Sequence, residues 1–143
     1  MVVKLSARNQ FKGTVDHVTE GAVNGVITIK LGKDAVKADI TMEAIEDLGL
    51  KAGQEATAVI KATNVLVASG SEPITRLSAR NQFPGTVEKV TKGAVNGHVA
   101  LKLADGNLLT ASITNEAIDE LGLKEGAPAL GIVKATDVMV FAG

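Results

Sequence analysis

The chain has 143 residues, with 15 Lys and Arg against 16 Asp and Glu, for a formal net charge of −1. That balance supplies no long-range field for nucleic acid, and the lack of Trp and Tyr removes the usual base-stacking platforms. Cysteine is absent, which excludes disulfides, thiol catalysis and thiolate metal sites.

In chain order, the first recognisable stretch is "LSARNQF" at residues 5–11, followed by "GTVDHVT" and "GVITIKL". Both of the latter alternate apolar and polar residues with frequent β-branching, which predicts strands. Between them "GAVNG" (residues 21–25) holds an Asn-Gly turn former, whose consecutive N–H groups can also cup an anion. "TMEAIEDLGL" then changes to helical spacing, with Thr41 as N-cap, Glu43 in the first turn and Gly49 as the breaker. "EATAVIKA" returns to strand, and "NVLVA" closes the unit as a short apolar strand. "ASGSEPIT" (residues 68–75) is rich in Gly, Ser and Pro and reads as a linker centred on residues 69–73.

After the linker the same text begins again. From Leu5 onward the chain matches itself at an offset of 72, and beyond the "LGKDA"/"LADGN" hairpin at 73, with more than half of the aligned positions identical. This is a tandem duplication of units 1–68 and 74–143. A five-residue linker reaches at most ~18 Å, so the units are expected to be neighbours. About five short strands and one short helix per unit predict two small OB-like β-barrels, an all-β chain. Cores this small, built from Val, Ile, Leu and Ala, commonly lean on oligomerisation. No apolar run reaches signal-peptide or membrane-span length, so a soluble, cytoplasmic protein is expected.

Catalysis finds little support. The two histidines, His17 and His98, align with Lys89 and Val26, so neither recurs. No phosphate loop, metal-ligand cluster or nucleophile–base pattern appears, and no enzyme is expected. What does recur is a set of donors: Ser6 and Arg8 with Ser78 and Arg80, Thr41 with Thr114, and Lys61 with Lys134. A tetrahedral dianion accepts hydrogen bonds at every oxygen, so it needs hydroxyls, N–H groups and cations, with carboxylates kept away. No carboxylate falls inside "SARN" or "KAT". The competing reading is that a strand-end arginine is merely solvated and was copied along with the fold.

At "LSARNQFKGTV", "GAVNGVITIKL", "ADITMEAI" and "IKATNVLV" the chain resembles the molybdate-binding Mop domain family, in its doubled, di-Mop form. The resemblance covers both units and leaves out the linker. It implies five-stranded OB-like barrels, assembled as a homo-oligomer, here a trimer of two-domain chains, that binds molybdate, and tungstate with it, at subunit and domain interfaces. Carried over, the first type of site comprises Ser6, Ala7, Arg8, Thr41, Lys61 and Ala62, with Ser78, Ala79, Arg80, Thr114, Lys134 and Ala135 in the second copy. The alanines would offer backbone N–H groups. A second type, on the "GAVNG" turns, would use Val23, Asn24, Val95 and Asn96. Some relatives carry serines where this chain has Ala44, Ala117, Ala62 and Ala135, and fewer hydroxyls imply weaker, releasable binding. The family's regulators and transporter ATPases carry further domains for which this chain has no room, so the resemblance implies cytoplasmic storage, transport and homeostasis of the anion, with no catalytic cofactor. The alternative reading is an OB-fold module for nucleic acid or protein interaction.

Overall fold

The computed structural model describes residues 4–142; residues 1–3 and 143, the outer ends of the two expected units, lie outside them. The first repeat forms β1 (Asn9–Thr19), β2 (Asn24–Leu31), β3 (Asp34–Thr41), helix α1 (Met42–Leu48), β4 (Glu55–Ile60), a 3-10 turn (Ala62–Asn64) and β5 (Leu66–Ser69). The second forms β6 (Asn81–Lys92), β7 (Asn96–Leu103), β8 (Leu108–Thr114), α2 (Asn115–Glu120), β9 (Pro128–Val133), a 3-10 turn (Ala135–Asp137) and β10 (Val138–Ala142).

Local chemistry explains these elements well. Thr41 and Thr114 cap the two helices, each hydroxyl accepting the backbone N–H three residues on (Ala44 and Ala117, both 3.1 Å). Gly49 at φ 61° and Gly122 at φ 65° take the left-handed conformation that ends each helix. In β1 a bulge between Val15 and His17 bends the strand, and β6 repeats it between Val87 and Lys89. The bend lets one long strand pair with β4 along Asn9–Thr14 and with β2 along Thr14–Thr19.

The two antiparallel sheets are not each made from one repeat. Their orders are β10-β4-β1-β2-β3 and β5-β9-β6-β7-β8, so the repeats exchange their last strands. Val138–Ala142 pairs with β4 of the first repeat, and Leu66–Ser69 pairs with β9 of the second. The count of five strands and one helix per unit agrees with the sequence reading; the closing strand of each unit, however, completes the other one, and β5 extends to Ser69, into the expected linker. The 3-10 turn after β4 carries the chain across, packing against β8, while its counterpart packs against β3. The core is aliphatic as expected, with Ile27, Ile29, Ile60, Leu101, Leu109 and Ile118 fully buried, and each Phe of "LSARNQF" (Phe11, Phe83) buried too. Val65 and Val138, one just before β5 and the other opening β10, are buried as well. Burying a valine contributes roughly 1.5–3 kcal/mol, so each exchanged segment carries its own anchor. No helix among the described residues is long and apolar enough to cross a membrane.

Candidate anion-binding site

The heptamer that occurs twice divides its labour among its residues. Asn9 and Asn81 are buried, and each grips the backbone of the other repeat. Asn9 Nδ2 donates to the Thr110 carbonyl and its Oδ1 accepts the Thr110 N–H, both at 2.8 Å. Asn81 does the same at Lys37, again at 2.8 Å on both sides. Thr110 and Lys37 lie on β8 and β3, the last strands in their sheets, so each asparagine occupies backbone groups that an edge strand leaves open. Gln10 folds the preceding loop back on itself, its Nε2 donating to the Ala7 carbonyl at 3.0 Å and to Leu5 at 3.3 Å. Gln82 holds Ile74 in the same manner, accepting its N–H at 2.7 Å and donating to its carbonyl at 3.0 Å. Sequence reading singled out the Ser and Arg of "SARNQ" and missed these roles for Asn and Gln. Their signal was present: polar side chains repeated letter for letter at the opening of a strand.

With the loop held this way, Ser6, Ala7 and Arg8 face Lys61, Ala62 and Thr63 across a cavity of about 660 Å³. Its far wall comes from the second repeat: His98 and Ser112, a cross-strand pair of β7 and β8, and the exchanged strand β10. Among the described residues, no carboxylate lines it. Lys61 sits at the start of the 3-10 turn, where the first N–H groups have no partner within the turn. A second recess of about 430 Å³ shares Arg8 and His98 and adds Lys89, Thr91, Lys92, Asn96 and Thr110, again with no carboxylate among the described residues. The bulge in β6 ends at Lys89, next to the turn of β-strand that this recess occupies.

Five of the six expected residues of the first copy therefore come together around one cavity. Thr41 does not line it. It stands instead with the expected second-type residues: Thr41 is the ladder partner of Asn24, and the Val23 carbonyl accepts the Met42 N–H at 2.7 Å. The second repeat copies this, with Thr114 opposite Asn96 and the Val95 carbonyl accepting from Asn115 at 2.8 Å. Both glycines of "GAVNG" are set by close approach, since a Cβ on Gly25 would stand 2.6 Å from Ile45 Cδ1 and one on Gly21 2.3 Å from the Asn24 carbonyl. Val23 and Val95 project from these turns, 74% and 71% exposed. In the second copy, Ser78, Ala79 and Arg80 precede β6, and Lys134 and Ala135 open the second 3-10 turn, with both cations exposed.

The geometry defines a duplicated OB-like unit in which Ser6, Arg8 and Lys61, donors that recur in the second repeat, line one recess. Comparison with known proteins agrees at the level of family: the TOBE domain model matches residues 5–67 and 77–140. The chain belongs to the TOBE domain family, with two copies in tandem, and its resemblance to the Mop proteins holds. A crystal structure of the cytoplasmic molybdate-binding protein ModG, with molybdate bound, superposes with a TM-score of 0.93 at 46% identity, covering 99% of this chain and 100% of that one. The molybdenum transport protein ModE of Herbaspirillum seropedicae is 42% identical over 98% of this chain, which spans 52% of that relative. Molybdenum-pterin-binding protein 2 of Clostridium pasteurianum is 47% identical over 46% of this chain and 97% of its own length. The chain thus spans about half the length of the two-copy curated relatives it matches and twice that of the single-copy one.

Proposed function

We propose that this chain binds molybdate, and tungstate with it, reversibly and without chemistry on the anion, serving cytoplasmic storage and homeostasis. The observation that carries the reading is the cavity, without a carboxylate among its described lining residues, in which Arg8, Lys61, Ser6, Thr63 and Ser112 converge. A tetrahedral dianion needs charged and hydroxyl donors and no competing anion, and charged hydrogen bonds are the stronger kind. The names of the similar proteins support the particular anion. Sulfate has the same charge, so selectivity rests on cavity size and donor spacing.

The cavity is wider than one such anion, and exposed apolar side chains flank it: Leu5, Leu48 and Met139 are 42%, 37% and 49% exposed. That supports a homo-oligomer, a trimer in our reading, in which another copy narrows the site and Thr41 and Thr114 reach anions from a neighbouring chain. Calorimetric titration with molybdate, tungstate, sulfate and a short single-stranded oligonucleotide tests the reading. Heat with molybdate and tungstate alone is expected; heat with the oligonucleotide alone overturns it. Arg8→Ala and Arg80→Ala should each lose anion sites while the native mass of the assembly is unchanged.

A further inference from the structure

The two copies of the heptamer are identical, but the walls they face are not. Asn9 fixes the first "SARN" segment on Thr110, and two residues further along β8 stands Ser112, paired with His98. Asn81 fixes the second on Lys37, and two residues along β3 stands Asp39, paired with Val26. Ser112 and His98 line the Arg8 cavity, and the repeat-equivalent pair is Asp39 and Val26, a carboxylate and a valine in place of a hydroxyl and an imidazole. The next recess differs in the same sense. Lys89 and Lys92, which line it with Arg8, correspond to His17 and Glu20 in the first repeat. Lys37 in place of Thr110 acts in the opposite direction, so the repeat-equivalent wall carries one net negative charge where the Arg8 wall carries two positive ones, from Lys89 and Lys92. Lys92 is itself paired with Asp119, which softens this contrast without reversing it. Asp39 is held in place by Asn24, whose Nδ2 donates to its carboxylate at 3.0 Å.

We propose that the two oxyanion sites of each chain are graded: the Arg8 site, walled by Ser112 and His98 with Lys89 and Lys92 in the adjoining recess, fills first, and the Arg80 site, with Asp39 and Glu20 at the repeat-equivalent positions, fills later and releases first. The inference rests on the oxyanion reading above and goes beyond it. Identical donors set what is bound, and the borrowed wall sets how tightly. One carboxylate a few ångströms from a dianion, screened by water, lowers affinity by roughly tenfold. A protein with sites of two strengths delivers anion over a wider concentration range than one with equal sites.

The test is molybdate calorimetry on the full chain, with native mass spectrometry for stoichiometry and thermal melting to verify folding. The wild type should show two classes of site at least roughly tenfold apart. Arg8→Ala should remove the tight class and Arg80→Ala the weak one. Asp39→Ser should tighten the weak class about tenfold, and the reciprocal Ser112→Asp should loosen the tight class by a similar factor. A single class in the wild type, or a weak class that Asp39→Ser leaves unmoved, overturns the grading while the oxyanion reading stands. No molybdate binding in the wild type overturns both.

Discussion

Replacing Asn9 with alanine removes the clamp between the first "SARN" segment and the second repeat. The side chain is fully buried, and both its polar ends are matched to Thr110 at 2.8 Å. Truncation deletes two hydrogen bonds and leaves the Thr110 N–H and carbonyl without partners on the outer side of an edge strand. An orphaned buried group costs about 1–3 kcal/mol, and the site is only partly buried on the Thr110 side, which lets water repair some of the loss. A net destabilisation of roughly 2–3 kcal/mol follows, or ~6–12 °C in Tm for a chain of this size. Asn81→Ala should cost a similar amount through Lys37, and the double variant should approach the sum, because the two clamps share no partner. Urea unfolding followed by circular dichroism measures this. If Asn9→Ala lay within about 0.5 kcal/mol of the wild type, the clamp would be incidental to folding and the docking argument for the graded walls would lose its anchor.

Thr41→Ala and Thr114→Ala remove the side-chain caps of two very short helices, and each should cost about 1 kcal/mol, with serine restoring most of it; the same unfolding measurement decides. Asp34 yields a pH prediction. One of its carboxylate oxygens is buried without a partner, and burial first, then the charge of Asp105, raise its pKa above the ordinary 3.8. A raised acid pKa means the folded state disfavours the ionised form, so the penalty is absent below 3.8, grows as pH rises through the folded value and is full above it. Asp34→Asn should therefore melt higher than the wild type at neutral pH, with the gap closing in acid; a gap independent of pH would rule out ionisation as its source.

Much of the molecule was legible in the residues. The duplication, the strand count, both threonine caps and the glycine helix ends followed from local rules, because each depends on residues a few positions apart. Ser6, Arg8 and Lys61 could be singled out because they recur as Ser78, Arg80 and Lys134, and no carboxylate falls inside "SARN" or "KAT"; that the first three line one cavity is a fact of the fold. The Asn and Gln of "SARNQ" were harder, since their partners are backbone groups, which have no sequence signature, and Thr110 is 101 residues from Asn9.

Tertiary structure alone decided which copy closes which sheet and which wall faces which arginine. "NVLVA" and "DVMVF" are both short, apolar and β-branched, so either sheet offers either strand an equally good backbone ladder and apolar face. Only the route taken by the 3-10 turns across the neighbouring repeat breaks that tie. Once the strands are exchanged, residues of one repeat line the site of the other, and near-identical sequences meet different surroundings. Ser112 and Asp39 are ordinary surface residues in the text; the fold places Ser112 in the cavity lined by Arg8, and Asp39 holds the repeat-equivalent position on β3.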